Sequence, residues 1–133
     1  MKILAFESSC DETAVAVVED GRRVLSDAIS SQADMHALYG GVVPEIASRK
    51  HVEAIAALTE KALADADCTR ADIDAVAEPY PPGPNHTALG GPRLAPPVAS
   101  ATHLPLLPVH PVRRHIPANH LALHKLAPPF PAP

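Results

Sequence analysis

The hydrophobic and polar positions fall into short runs whose period changes along the chain. Residues 2–7 (KILAFE) are β-type residues in alternation and predict a strand. A polar break follows, Ser8-Ser9-Cys10-Asp11-Glu12, and residues 13–18 (TAVAVV) form a second, β-branched run. Asp20-Gly21 is a hairpin signal, because both residues tolerate the positive φ that tight hairpin turns require. Residues 22–30 then return as a third strand. The period next switches to that of a helix. Gly40-Gly41 breaks the chain, Pro44 suits a first helical turn where its missing N–H is not needed, and Glu45 complements the positive end of the helix dipole. Ile46, Val52, Ile55, Ala56, Leu63 and Ala66 recur at helical spacing against Arg49, Lys50, Glu53, Glu60 and Lys61, so a helix is expected from Pro44 to about Ala66. Residues 73–77 (IDAVA) predict a short strand leading into a loop, residues 78–84 (EPYPPGP).

Prolines then obscure the pattern. Pro92, Pro96, Pro97, Pro105 and Pro108 exclude one continuous helix through residues 85–109, since an interior proline costs about 3 kcal/mol. Leu106, Leu107 and Val109 suit a short strand between prolines. Residues 112–125 suit a helix kinked at Pro117, and residues 128–133 (PPFPAP) an extended end.

Composition sharpens this division. The 133 residues suffice for one domain with a modest core. All 15 acidic residues lie in residues 1–78 beside 7 of the 11 Lys and Arg, which leaves that part at −8. Residues 79–133 contain no acid, 6 of the 8 His and 15 of the 16 Pro. No apolar run of about 18 residues is present to span a membrane. Glu7, Asp11 and Glu12 interrupt the first apolar stretch too early for a signal peptide. Cys10 and Cys68 make no disulfide framework, so a cytoplasmic setting is expected. The pI of about 6.0 argues against non-specific nucleic-acid binding by charge, while leaving room for a local basic patch such as Arg113-Arg114 or Arg49-Lys50-His51.

The polar break between the first two strands is the candidate site. Backbone N–H groups of such a turn face an anion, hydroxyls donate to it, and an acid holds metal or water. Ser8, Ser9 and Thr13 supply hydroxyls, and Asp11 and Glu12 the carboxylates. Polar residues in a hairpin also serve simply as turn-formers, and on chemistry alone that reading competes.

The literal strings carry more. Residues 3–21, ILAFESSCDETAVAVVEDG, continue through Ser30-Ser31-Gln32 and residues 39–51, YGGVVPEIASRKH. Together they closely resemble the N-terminal part of the bacterial tRNA N6-adenosine threonylcarbamoyltransferase family (TsaD, also Gcp, formerly called O-sialoglycoprotein endopeptidase), almost continuously over residues 1–77. The resemblance implies an α/β fold of the actin-like ATPase (ASKHA) kind: a family-like half-lobe over 1–78, a proline-rich, diverged remainder of the first lobe over 79–133, and a second lobe absent from this sequence. It implies an acyltransferase, an N6-L-threonylcarbamoyladenine synthase. Such an enzyme moves threonylcarbamoyl from threonylcarbamoyl-adenylate to N6 of the adenosine 3′ of the anticodon in tRNA. Asp11 and Glu12 would be catalytic, organising the phosphate side of the cleft, with Ser8, Ser9 and Thr13 binding phosphate or substrate. The implied cofactor is one iron or other divalent ion. The implied partners are tRNA, threonylcarbamoyl-adenylate, a paralogous protein and a small ATPase, with no membrane.

Departures from the family pattern concentrate after residue 78. Tyr80-Pro81-Pro82-Gly83 puts Pro81 where a Gly-Pro-Gly loop is expected. The family's paired metal histidines, H-x-x-x-H, align with Pro111 and His115, with His110 beside the first position. Histidines at i and i+4 share a helix face; at i and i+5 they diverge by about 140°. His120 and His124 have the favourable spacing but do not match the ligand positions. Residues 106–109, 115–120 and 128–130 stay in register with the family, so scattered substitution fits the tail better than a frameshift. An inactive fragment is therefore expected. The alternatives are a non-catalytic lobe that binds the partner, the product of a decayed or misread gene, and, last, a metalloprotease, for which no HExxH helix is present.

Overall fold

A computed structural model of the chain describes residues 1–8, 11–79 and 95–110. The first strand, β1 (Lys2–Glu7), pairs antiparallel with β2 (Glu12–Glu19), which pairs antiparallel with β3 (Arg23–Ser31). Asp20 and Gly21 turn the β2–β3 hairpin with φ of 52° and 65°, the left-handed region that the Asp-Gly pair foretells. A five-residue helix α1 (Ala33–Ala37) and the long helix α2 (Pro44–Asp65) follow. A single 3-10 turn, Arg70–Asp72, leads into β4 (Ala75–Pro79). Helix α3 (Ala95–Thr102) and β5 (Leu106–Val109) complete the described residues. Both β4 and β5 run parallel to β1, giving one five-stranded mixed sheet in the order β3-β2-β1-β4-β5.

One face of this sheet carries the core. Leu4 and Phe6 from β1, Val15 and Val17 from β2, Ala28 from β3 and Val76 from β4 turn inward, as the period of two requires. Helix α2 covers β2 and β3, and α3 covers β4 and β5. Alanines Ala5, Ala14, Ala16 and Ala77 share the opposite face. They line a shallow cavity of about 210 Å³ that ends at Glu7, Pro79 and Val109.

The strand expectations hold with boundary shifts of one or two residues. Helix α2 starts at Pro44 as predicted, but the face it buries differs. Ala47, His51, Leu58, Thr59, Ala62 and Leu63 point inward, whereas Val52 is 55% exposed and Ala56 is exposed. Choosing inward positions by apolarity alone began the stripe at Ile46, one residue or about 100° away from Ala47. The helix instead presents two small residues, Ala47 and Ala62, for close approach, and a histidine that has a polar partner below it. Lys50 and Arg49 lie outside, in ion pairs with Glu53 and Glu45. Only His51 of the expected basic cluster is inside the fold.

Pro96 and Pro97 fall within the first turn of α3, where the backbone N–H groups have no helical partner to lose. Glu78, buried at the end of β4, accepts a hydrogen bond from the Ala95 N–H at 3.3 Å, at the start of α3. Strand β5 tolerates Pro108 because it is the edge of the sheet. The kinked helix expected over 112–125 and the extended end at 128–133 lie outside the described residues.

Three contacts fix the entry to β4. Thr69 donates from both N–H and Oγ1 to the Asp72 carboxylate, at 2.7 and 2.8 Å, and these bonds hold that carboxyl below its ordinary range. The Lys2 ammonium donates to Cys68 Sγ at 3.4 Å, which raises the lysine pKa, and the Lys2 N–H donates to Asp74.

Candidate functional site

Because β1, β4 and β5 are parallel, their carboxyl ends lie together, and this end of a parallel sheet is where α/β folds open a ligand crevice. The β1–β2 turn leaves from that end. Glu7 pairs with Ala14, so the polar break spans the six residues between them. Ser8 is half-buried at its start. Asp11 is half-buried and Glu12 exposed at its end. Glu78 and Pro79 close β4 at the same end, and His110 follows the last residue of β5 there, exposed. The topology thus gathers the carboxylates Asp11 and Glu12 and the histidine His110 at one rim of the sheet. Ser9, Pro111 and His115 lie outside the described residues.

Thr13 is placed differently from the other hydroxyls. It begins the inward-facing row of β2, is fully buried, and its Oγ1 lies 2.7 Å from Nδ1 of the fully buried His51 on α2. Its hydroxyl is therefore engaged in the core beneath the turn. Next to it, the Gln32 N–H donates to the Asp11 carbonyl at 2.7 Å, extending the β2–β3 ladder to the base of the turn. Both root residues of the turn are held from the protein side, while Glu12 between them faces out.

Of the ligand positions implied by the resemblance, 111 and 115 lie outside the described residues, and the residue at 111 is a proline. The pyrrolidine of Pro111 has no lone pair to give, and among the described residues no three His, Cys, Asp or Glu side chains are grouped to hold an ion. Among the described residues this rim carries the Ser8 hydroxyl beside the Asp11 and Glu12 carboxylates and His110.

Sequence reasoning did not single out Gln32 or Glu78, and it read His51 as surface. A signal for His51 was present: positions 47, 51, 55, 58 and 62 form one helical stripe. Four of its five residues are buried and the fifth, Ile55, is packed against the core.

Comparison with known proteins decides the family. Residues 23–133 match the family described as "TsaD: tRNA N6-adenosine threonylcarbamoyltransferase". The chain belongs to this family. It is 51% identical over 130 residues to the tRNA N6-adenosine threonylcarbamoyltransferase of Clostridium novyi (strain NT). It is 53% identical over 128 residues to that of Clostridium perfringens (strain SM101 / Type A). These alignments cover 98% and 96% of the chain but 38% of each relative, so the chain spans well under half the length of the curated relatives it matches. Among solved structures, YeaZ from Pseudomonas aeruginosa superposes with a TM-score of 0.58 at 18% identity, covering 90% of this chain and 48% of that one. A second Pseudomonas aeruginosa structure, of a protein with similarity to peptidase YEAZ, gives 0.61 at 19% identity, covering 90% and 47%. The mixed sheet with its helices is thus the N-terminal part of the actin-like fold that the sequence implied. Among the described residues no helix is long and apolar enough to cross a membrane.

Proposed function

We propose that this chain supplies the phosphate-side wall of a threonylcarbamoyl-adenylate cleft and is inactive in threonylcarbamoyl transfer by itself. The observation that carries the reading is the Ser8–Glu12 break itself. It sits at the carboxyl end of β1, beside the end of the parallel strand β4, inside a segment of family-like sequence. In that place Ser8 and Ser9 donate to phosphate oxygens, and Asp11 and Glu12 orient water or a counter-ion on the phosphate. Thr13 supports the turn from below rather than touching the ligand. The adenylate would lie along the rim formed by the turn and the ends of β4 and β5, its acyl group facing the tRNA adenosine. Transfer needs that amine and the acyl carbon held together, a positioning gain that a single wall cannot supply.

The alignment covers 38% of the relative, and by this reading the opposite wall would come from the length that the alignment does not cover. Partners by this reading are tRNA, threonylcarbamoyl-adenylate, a paralogous protein and a small ATPase, in the cytoplasm. The divalent ion is assigned to longer relatives, because Pro111 breaks the ligand pair here.

Two measurements test the reading. With threonylcarbamoyl-adenylate and unmodified tRNA, the purified chain is expected to give no N6-modified adenosine; turnover would overturn the assignment of inactivity. Titration with AMP, followed by amide NMR, is expected to shift resonances of residues 8–13 first. Shifts spread evenly over the chain, or none at millimolar AMP, would overturn the phosphate-wall assignment.

A further inference from the structure

The base of the turn is bolted to α2 by two side-chain bridges that use motifs the proposed chemistry leaves without a role. The first runs through Gln32. Its N–H donates to the Asp11 carbonyl at 2.7 Å, and its side-chain Nε2 donates to the Ala47 carbonyl on α2 at 3.4 Å. The orientation of that amide follows from its neighbours. The Val43 N–H donates to Nδ1 of His36 at 3.3 Å, so Nδ1 is the acceptor and Nε2 carries the proton. Nε2 then donates to Gln32 Oε1 at 3.0 Å, which leaves the Gln32 NH₂ to face Ala47. The second bridge is Thr13 Oγ1 to His51 Nδ1 at 2.7 Å. Asp11 and Thr13 are alternate residues of one chain segment, and Ala47 and His51 are one helical turn apart. Both bridges therefore join the start of β2 and the residue before it to the same face of α2.

Farther along β2 the inward positions are apolar, Val15 and Val17 two and four residues on from Thr13. A buried hydroxyl and imidazole are costly unless they meet in a defined geometry, and that requirement fixes the helix and strand against each other more narrowly than methyl contacts do. Among the described residues, the Thr13–His51 and Gln32–Ala47 contacts lie at the base of the turn, while Ser26 on β3 makes a separate contact with the Ala62 carbonyl farther along α2.

We propose that Gln32 and His51 are positioning residues of the candidate anion site: through the Asp11 carbonyl and the Thr13 hydroxyl they set the backbone that carries the Asp11 and Glu12 side chains at its base. This rests on reading the turn as a phosphate wall, and the experiment separates the two. Amide hydrogen exchange is measured on the whole chain for Thr13→Val, Gln32→Leu and His51→Leu. Thr13→Ser and His51→Asn are the conservative variants, each keeping a polar atom where the bond is made. Loss of one buried hydrogen bond corresponds to about tenfold in local opening. The expected result is about tenfold faster exchange over residues 8–12 in the three disruptive variants, with amides of residues 3–6 and 75–77 within about twofold of the parent. Thr13→Ser and His51→Asn are expected to restore the parent rate in the turn.

Unchanged exchange at residues 8–12 would overturn the inference. So would a uniform acceleration across the sheet, which marks ordinary core polarity, and so would Thr13→Ser behaving like Thr13→Val. If His51→Leu does not fold, the Thr13→Val and Thr13→Ser pair decides alone. AMP titration of the same samples reads the phosphate assignment separately: an intact exchange pattern with no AMP shifts removes the ligand and leaves the two bridges standing as a structural clamp only, which also overturns the positioning role.

Discussion

Replacing Phe6 by alanine removes the ring that fills the inner face of the sheet two residues before the candidate turn. Phe6 is 4% exposed and pairs across β1–β2 with Val15, which is 0% exposed. It belongs to the cluster that includes Leu4, Val17, Leu58, Ala62 and Val76. An aromatic side chain buries roughly 150 Å² or more, and at about 25 cal/mol per Å² the lower figure is worth a little under 4 kcal/mol. That agrees with the 3–5 kcal/mol, roughly, found when a core Phe becomes Ala and leaves a cavity. A domain of this size has about 5–15 kcal/mol in all, so Phe6→Ala is expected to remove a large share of its stability. In urea, with a slope near 1.5 kcal/mol per molar, the midpoint should fall by about 2 M or more. The matched control is Ile29→Ala. Ile29 is equally apolar and lies on β3, but it is 59% exposed, and its replacement is expected to stay within about 0.5 kcal/mol. Equal shifts for the two variants, or a loss under about 1 kcal/mol at Phe6, would refute the assignment of the core to this one face of the sheet.

Gly40 and Gly41 separate backbone conformation from space. A Cβ would meet nothing within 4 Å at either, but only Gly40 has positive φ, at 73°. Gly40→Ala should therefore lower stability by about 1–2 kcal/mol in thermal unfolding and Gly41→Ala by far less. The Asp72 carboxyl, held below its ordinary value of 3.8 by the Thr69 N–H and hydroxyl, contributes stability that is present above about pH 4 and is lost as pH falls through the lowered value. Asp72→Asn should flatten that acid limb in unfolding measured from pH 5 to 2, and an unchanged limb would count against the bond. Ser26 donates to the Ala62 carbonyl at 2.5 Å across the β3–α2 contact, so Ser26→Ala should cost about 1 kcal/mol in chemical denaturation.

The strands were legible because each is local. Alternation in KILAFE and TAVAVV, with Asp-Gly between the second and third strands, contains what is needed to place β1 to β3, and the prolines around Leu106 bound β5. The start of α2 was equally local, in Pro44 and Glu45. Its buried face was not, since which stripe turns inward depends on what the sheet offers beneath it, and here the sheet offers the hydroxyl of Thr13. Helix α1 has five residues and no apolar stripe; it is held by His36, whose two ring nitrogens bond Gln32 and Val43. The turn could be picked out as a candidate site from Ser8, Asp11 and Glu12, yet the residues that fix it in place, Gln32 and His51, stand 21 and 38 residues from the Asp11 and Thr13 they hold. No spacing rule links them. Helix α3 was hidden for another reason: a proline penalty that applies to a helix interior does not apply to its first turn.

The charge distribution bears on how such a half-site can hold anions at all. Asp11 and Glu12 lie in a part of the chain that carries −8, and both threonylcarbamoyl-adenylate and tRNA are negatively charged. Five of the seven Lys and Arg in that part, Arg23, Arg49, Lys50, Lys61 and Arg70, already face a carboxylate: Glu19, Glu45, Glu53, Asp65 and Glu60 in turn. Each pair adds little to stability, but together they cancel most of the positive field the surface would otherwise project. On the proposed reading, an adenylate phosphate at the β1–β2 turn would be held by donors that act at contact range, N–H and hydroxyl groups whose strength depends on aim rather than on net charge. Aim is what the Asp11–Gln32–Ala47 and Thr13–His51 bridges control. A nucleic acid backbone is different, since its hold grows with the number of phosphates neutralised by Lys and Arg. On the reading proposed here, the adenylate side of the reaction is built into this part of the fold, and the electrostatic hold on tRNA is not.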